Sequence, residues 1–385
     1  MTTSLAIFPA TWCTEFPARV TTWSVVKHES KENRAMPGWA RTALVFLLAA
    51  IVLATGMVLI PRDPGPPPAA PFSESARVSA FADTLSLLDA ATGLRTAAAL
   101  PSGSGLPDTA LADTVTLLTT QSRALLAPAQ ATPASSAVSP APDSPEGPRT
   151  PQALVAALSA SGAQRLADAA EADGGIARLL AAVGTAHVLQ SAQLAAAAGL
   201  PAPATPVRIT PTAVPTATES CPAPAAPSGT ATAATLAGAL AAAVRSEQEA
   251  VYVHQVALTR LDPAASGTAQ SALTAHQTAL RQAEALGRAH CLEVPPREAG
   301  YRLPEQLSTK PLAALGALEA GTLQGFGDLI ALGTGDTRQW ALDGLLGAAR
   351  RSTAWGTPLD ALPGLVVDAG ALPPLPAPSA ATTAP

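Results

Sequence analysis

The chain has 385 residues, of which 13% are charged and 3% aromatic, and a formal net charge of -5. Charge this sparse excludes a long charged coiled coil, and the acidic balance leaves no basic footprint for nucleic acid. Three cysteines exclude a disulfide-dense scaffold, and 28 glycines without a triplet period exclude a collagen-like chain. Alanine supplies 89 residues and proline 38, which suits thin, closely packed helices broken by proline-rich spacers. The length allows two or three domains.

Residues 1–41 read as a cytoplasmic tail or an over-extended start, since Met36 opens MPGWARTALVF, an export signal complete in itself. From Thr42 to Ile60 the chain carries no charge (TALVFLLAAIVLATGMVLI) and approaches the ~20 residues that cross a bilayer. Upstream lie Arg19, Lys27, Lys31, Arg34 and Arg41, whereas only Arg62 lies close on the far side. The positive-inside rule then puts the N-terminus in the cytoplasm and the bulk of the chain outside. The first expected partner is therefore a membrane, through residues 42–60. Val52-Leu53-Ala54 and Ala54-Thr55-Gly56 also suit signal cleavage, which would make the protein secreted. No cysteine follows the apolar run closely enough for lipidation.

Beyond the membrane, proline marks the boundaries. Residues 61–72 form a stiff spacer. Residues 127–149, 201–230 and the tail 366–385 have too few large apolar side chains to fold and read as linkers. Two helical blocks remain, 73–200 and 231–365. The first reads as four helices: 74–98 with Val78, Phe81, Leu85 and Leu88 at helical spacing; 107–126; one from Thr150-Pro151; and 176–199 after Gly174-Gly175. The second reads as helices over 231–261, 265–291, 310–333 and 336–356, closed by Leu362-Pro363-Gly364-Leu365. No useful strand alternation appears, so the fold class is all-α, and the short connections suggest an antiparallel four-helix bundle.

The seam of the 231–261 helix carries the most specific signal. Leu240, Val244, Glu247, Val251, His254, Leu258 and Leu261 follow a 4-3-4-3 spacing, the core edge of a bundle helix. Glu247 and His254 are ionisable, lie two turns apart and share one face. His276 sits between Leu273 and Leu280 on the next helix, and Glu319 continues Leu312 and Leu315 on the third. The fourth helix offers Asp343, with Arg350 one register on; the Arg350-Arg351 pair reads as a solvated face. Buried carboxylates and imidazoles cost several kcal/mol unless paired or metal-bound. Two readings follow: a Glu–His hydrogen-bonded network, or a metal ion held by Glu247, His254, His276 and Glu319. The Glu-x-x-His pair of a di-iron bundle is missing, because Leu273 precedes His276 by three residues and the last helix has no histidine.

The runs SEQEAVYVHQVALTRL and ALTAHQTALRQAEAL, with LGALEAGTLQGFGDLIAL and WALDGLLGAARRSTAWG after them, resemble the ferritin-like domain of actinobacterial envelope proteins of unknown function. The resemblance covers about 231–365 and implies a ferritin-like four-helix bundle in an exported protein. It implies no established activity.

Cys221 and Cys291 both lie beyond the membrane run, just before one helix and at the end of the next. An antiparallel hairpin brings these ends together, so a Cys221–Cys291 disulfide is expected outside the cell. His187 reads as a surface or interface residue, and His290 as a surface residue at a helix end. No catalytic set, phosphate loop or zinc-finger spacing is visible. The expected function is accordingly a structural or interaction role in the cell envelope, with a protein partner there. The alternative is a metal or redox site in the bundle.

Overall fold

The computed structural model describes residues 38–59, 70–98, 106–126, 148–204 and 234–376. Among these, all regular structure is helical: nine α-helices, one short 3-10 helix and no strand. The chain divides into two units, residues 1–68 and 69–385.

The first unit contains α1 (Gly38–Leu59), whose residues Thr42–Ile51 form an apolar stretch. Its Leu44, Val45, Phe46, Leu47, Leu48 and Ile51 are all exposed. Residues 61–69 of the predicted spacer and the tail before Gly38 lie outside the described residues.

The second unit is built from helical hairpins: α2 (Phe72–Ala98) with α3 (Asp108–Leu125), α4 (Pro151–Glu171) with α5 (Gly174–Ala197), α6 (Leu236–Ala257) with α7 (Pro263–Ala289), and α8 (Pro311–Leu332) with α9 (Gly335–Ala354). Side-chain caps set several starts. Thr150 accepts from the Ala153 amide, Thr235 from Gly238 and Asp262 from Ala265, with proline at the first turn of α4 and α7. The α6 helix is shorter than the predicted 231–261 because Thr235 caps it late and the chain turns after Ala257, ahead of the Asp262-Pro263 start of α7.

Small residues set the packing. In α4 and α5, Gly162 and Gly184 face each other so closely that a Cβ on Gly184 would stand 2.9 Å from the Gly162 carbonyl oxygen. On α2 the buried stripe is Ala76, Ala80, Thr84, Leu87, Ala91 and Leu94, not the predicted Val78, Phe81, Leu85 and Leu88. Val78 is exposed and the other three are half-buried. The smaller side chains let neighbouring helices approach, and the larger ones border the interface. Helix α5 is long and apolar enough to cross a membrane, but 78% of its most apolar window is buried. It is the core helix of this unit.

The two helical blocks of the sequence reading share one core. A single cluster joins Ala76, Leu125, Leu180 and Val183 of α2, α3 and α5 to Leu240, Leu280, Leu329, Ile330 and Trp340 of the last four helices. Arg338, buried on α9, donates to the carbonyls of Ile330, Gly333, Ala170 and Ala172, tying the α4–α5 turn to the α8–α9 turn. Arg178 of α5 pairs with Asp328 of α8 at 2.6 Å and donates to the Gly364 carbonyl. Residues 366–376, the start of the predicted unfolded tail, continue this association: Arg123 of α3 donates to the carbonyls of Leu372 and Pro373.

Candidate functional site

Four helices deliver five side chains to one buried spot. Glu247 and His254 come from α6, His276 from α7, Glu319 from α8 and Arg351 from α9. His254, His276 and Glu319 are fully buried and Glu247 is 2% exposed, whereas the Arg351 side chain is 24% exposed. His276 stands at the centre. Its Nδ1 lies 2.8 Å from Glu247 Oε2 and its Nε2 lies 2.9 Å from Glu319 Oε1. Arg351 Nε donates to the same Glu319 oxygen at 2.8 Å. Glu247 and His254, two turns apart on α6, both meet the His276 ring, the first through its Nδ1 and the second ring against ring. The His254 and His276 ring centroids are 4.8 Å apart.

The charges follow from these contacts. Burial alone would push the His276 pKa down, but hydrogen bonds and charge from Glu247 and Glu319 outweigh it and raise the value to about 9. Burial pushes the His254 pKa down to about 4, and the neighbouring His276 adds to the effect. Burial would raise the Glu319 pKa, but the hydrogen bond and charge of His276, with those of Arg351, hold it below the usual carboxylate range. An imidazolium and a guanidinium thus balance two carboxylates, beside a neutral imidazole.

That neutral imidazole is only half satisfied. Its Nδ1–H donates to the Ala250 carbonyl at 2.9 Å, which leaves Nε2 as a lone-pair acceptor. His254 Nε2 has no hydrogen-bond partner among the described residues, and neither has Glu319 Oε2. Both are buried acceptors, and two acceptors cannot satisfy each other. Nε2 lies 3.9 Å from Glu319 Oε1. One donor atom each from His254, His276 and Glu319 falls within 4.8 Å of the others, a set able to hold a metal ion. The donor chemistry fits a divalent transition metal such as zinc or cobalt, which would displace the proton from His276 Nε2 as it binds. The surroundings fit as well, because ligating histidines commonly give their other ring N–H to a carboxylate or a backbone carbonyl. Here Glu247 stands behind His276, and the Ala250 carbonyl stands behind His254.

Of the four sequence candidates, three converge, and Glu247 contacts the back of His276. Arg351 was missed. The register argument pointed to Arg350, but Arg351, flanking the buried Ser352, is the residue whose long side chain reaches Glu319. Asp343 is half-buried, about two helix turns away from this arginine. Cys291 is exposed just beyond α7, and Cys221 lies outside the described residues.

A second polar centre lies in the first block. His187 is fully buried at the interface of α3, α4 and α5, not at the surface, because residues 180–191 of α5 are all buried. Gln121 donates its amide to the Ala361 carbonyl and so turns Oε1 toward His187 Nε2, at 2.8 Å. Nε2 therefore carries the proton, and Nδ1 accepts from Ser161 Oγ at 3.2 Å. Burial, with the Arg165 charge, pushes the His187 pKa down to about 3.

No curated protein and no solved structure matches the chain. Residues 239–367, which hold every residue of the α6–α9 site, match a domain family described as a domain of unknown function, DUF4439.

Proposed function

We propose that this protein binds one divalent transition-metal ion on His254, His276 and Glu319, within a ferritin-like arrangement of α6–α9. The observation that carries the reading is the pair of buried, unpartnered acceptors, His254 Nε2 and Glu319 Oε2, beside His276. Glu247 and the Ala250 carbonyl orient the two rings from behind. The metal would supply Lewis acidity or charge; the residues supply enclosure and a fixed donor set. The reading assigns no reaction. It places the site in the cell envelope, anchored by residues 42–60 or released by cleavage there, with the helical unit outside. The apolar Thr42–Ile51 stretch and the basic residues before it support that placement. A Cys221–Cys291 disulfide belongs to the same picture, supported by the exposed position of Cys291 just beyond α7.

Elemental analysis of the purified full chain tests the reading. About one equivalent of metal is expected, falling below about a tenth in a His254→Ala/His276→Ala double variant, since a site stripped of two of its three donors loses its affinity. Wild-type protein that takes up none after exposure to zinc or cobalt would refute it. One observation favours a second reading, a metal-free brace with a structural or interaction role. His276 and Arg351 already neutralise Glu247 and Glu319. The same measurement decides between them.

A further inference from the structure

We infer that Arg351 is a resident counter-cation that sets how tightly the His254–His276–Glu319 site holds its metal; the inference rests on the metal reading above. Arg351 Nε sits 2.8 Å from Glu319 Oε1, the oxygen that also faces His276 Nε2. An incoming divalent ion therefore finds half of its carboxylate ligand already engaged and a permanent positive charge beside it. Arginine does not shed its proton in proteins, so this opposition does not relax with pH. Like charges in a buried site repel far more strongly than in water.

Geometry makes Arg351 the adjustable member of the site. It alone among the five reaches solvent, at 24% exposed, while the other four are at most 2% exposed. Its guanidinium lies over Gly347, where even a Cβ would come within 3.2 Å of Nη1. The residue one turn back on α9 is thus glycine, and no side chain there bars the guanidinium from swinging outward. With Glu319 partly neutralised, affinity rests on the two imidazoles, His276 giving up its Nε2 proton as the ion binds. The site then favours ions that bind nitrogen well over hard, oxygen-seeking ones.

The test is titration of the full chain with cobalt(II), followed by the visible absorption of the bound ion, in wild type, Arg351→Met, Arg351→Gln and Arg351→Lys. Removing the charge in the Met and Gln variants is expected to tighten binding roughly tenfold or more. Lysine, which keeps the charge, is expected to stay within about threefold of wild type. Met and Gln differ in polarity, so one covers for the other if a variant fails to fold. Charge-free variants binding cobalt like wild type would overturn the role of Arg351 while leaving the metal site intact. If wild type does not bind cobalt, the metal reading falls, and this inference falls with it.

Discussion

His187 offers the sharpest test of the buried polar chemistry, because its partners are neutral and well defined. Its folded pKa is about 3, against about 6.5 for an exposed imidazole. The unfolded chain therefore binds a proton that the folded chain refuses whenever the pH lies between these values. The contribution of His187 to stability is intact above pH 6.5 and is lost as the pH falls toward 3. Each unit in that window costs about 1.4 kcal/mol, so the loss is roughly 1–2 kcal/mol at pH 5.5 and roughly 3 kcal/mol at pH 4.5. The perturbation is His187→Gln, which cannot titrate. Denaturant unfolding of both chains at pH 7.5, 5.5 and 4.5 isolates the term as a difference. Wild type is expected to lose ground to the variant by these amounts, whatever the offset between them at neutral pH. An offset that does not change with pH would show that His187 takes up a proton in the folded protein, and the buried-neutral assignment would be abandoned.

Three further outcomes are expected. Glu319→Ala leaves His276 with Glu247 as its one carboxylate and takes from Arg351 the oxygen it bonds, and stranding buried charge of this kind costs about 3–5 kcal/mol, readable in denaturant unfolding; a cost below about 1 kcal/mol would mean the charges find solvent. Gly184→Ala forces a Cβ against the Gly162 backbone and the Arg165 Cβ, which have little room to yield, and should cost about 1–3 kcal/mol, whereas Gly175→Ala, with nothing within 4 Å, should not. Peptide mapping of non-reduced, alkylated protein is expected to recover a peptide linked through Cys221 and Cys291; alkylated thiols at both positions would rule the bridge out.

The helices were legible because their punctuation is local. Thr150-Pro151 acts within one turn, and the structure starts a helix there; the Thr235 cap, which places the start of α6 later than the predicted 231, carries a weaker signal in an alanine- and threonine-rich run. The convergence of Glu247, His254, His276 and Glu319 was legible for a similar reason. Ionisable residues at seam spacing on three helices have to meet if the seams do. What escaped the sequence were contacts that depend on small residues. Apolar size marked Val78 and Phe81 as the inner stripe of α2, while the structure buries Ala76, Ala80 and Thr84. In an alanine-rich bundle, closeness of approach decides which face turns inward, and that is a property of the pair of helices. The shared core of the two blocks was hidden in the same way. Arg338 and Arg178 carry no pattern that marks them in the sequence, and they tie the blocks together through carbonyls.

The two buried histidine centres show how little the residue type itself decides. His187 and His276 are both fully buried on helices and both bonded at each ring nitrogen. Around His187 the partners are a hydroxyl and an amide, which suit a neutral ring, and burial drives the pKa to about 3. Around His276 the partners are two carboxylates, which suit a charged ring, and the pKa rises to about 9 despite similar burial. The first arrangement satisfies every nitrogen and leaves nothing for a ligand to do. The second leaves its neighbour His254 with a bare nitrogen facing a carboxylate. Completed polar centres hold a core together, whereas an incomplete one keeps a donor set ready for a ligand. That difference in completion, more than the number of ionisable groups, is why the α6–α9 centre and not the His187 centre is the place to look for function.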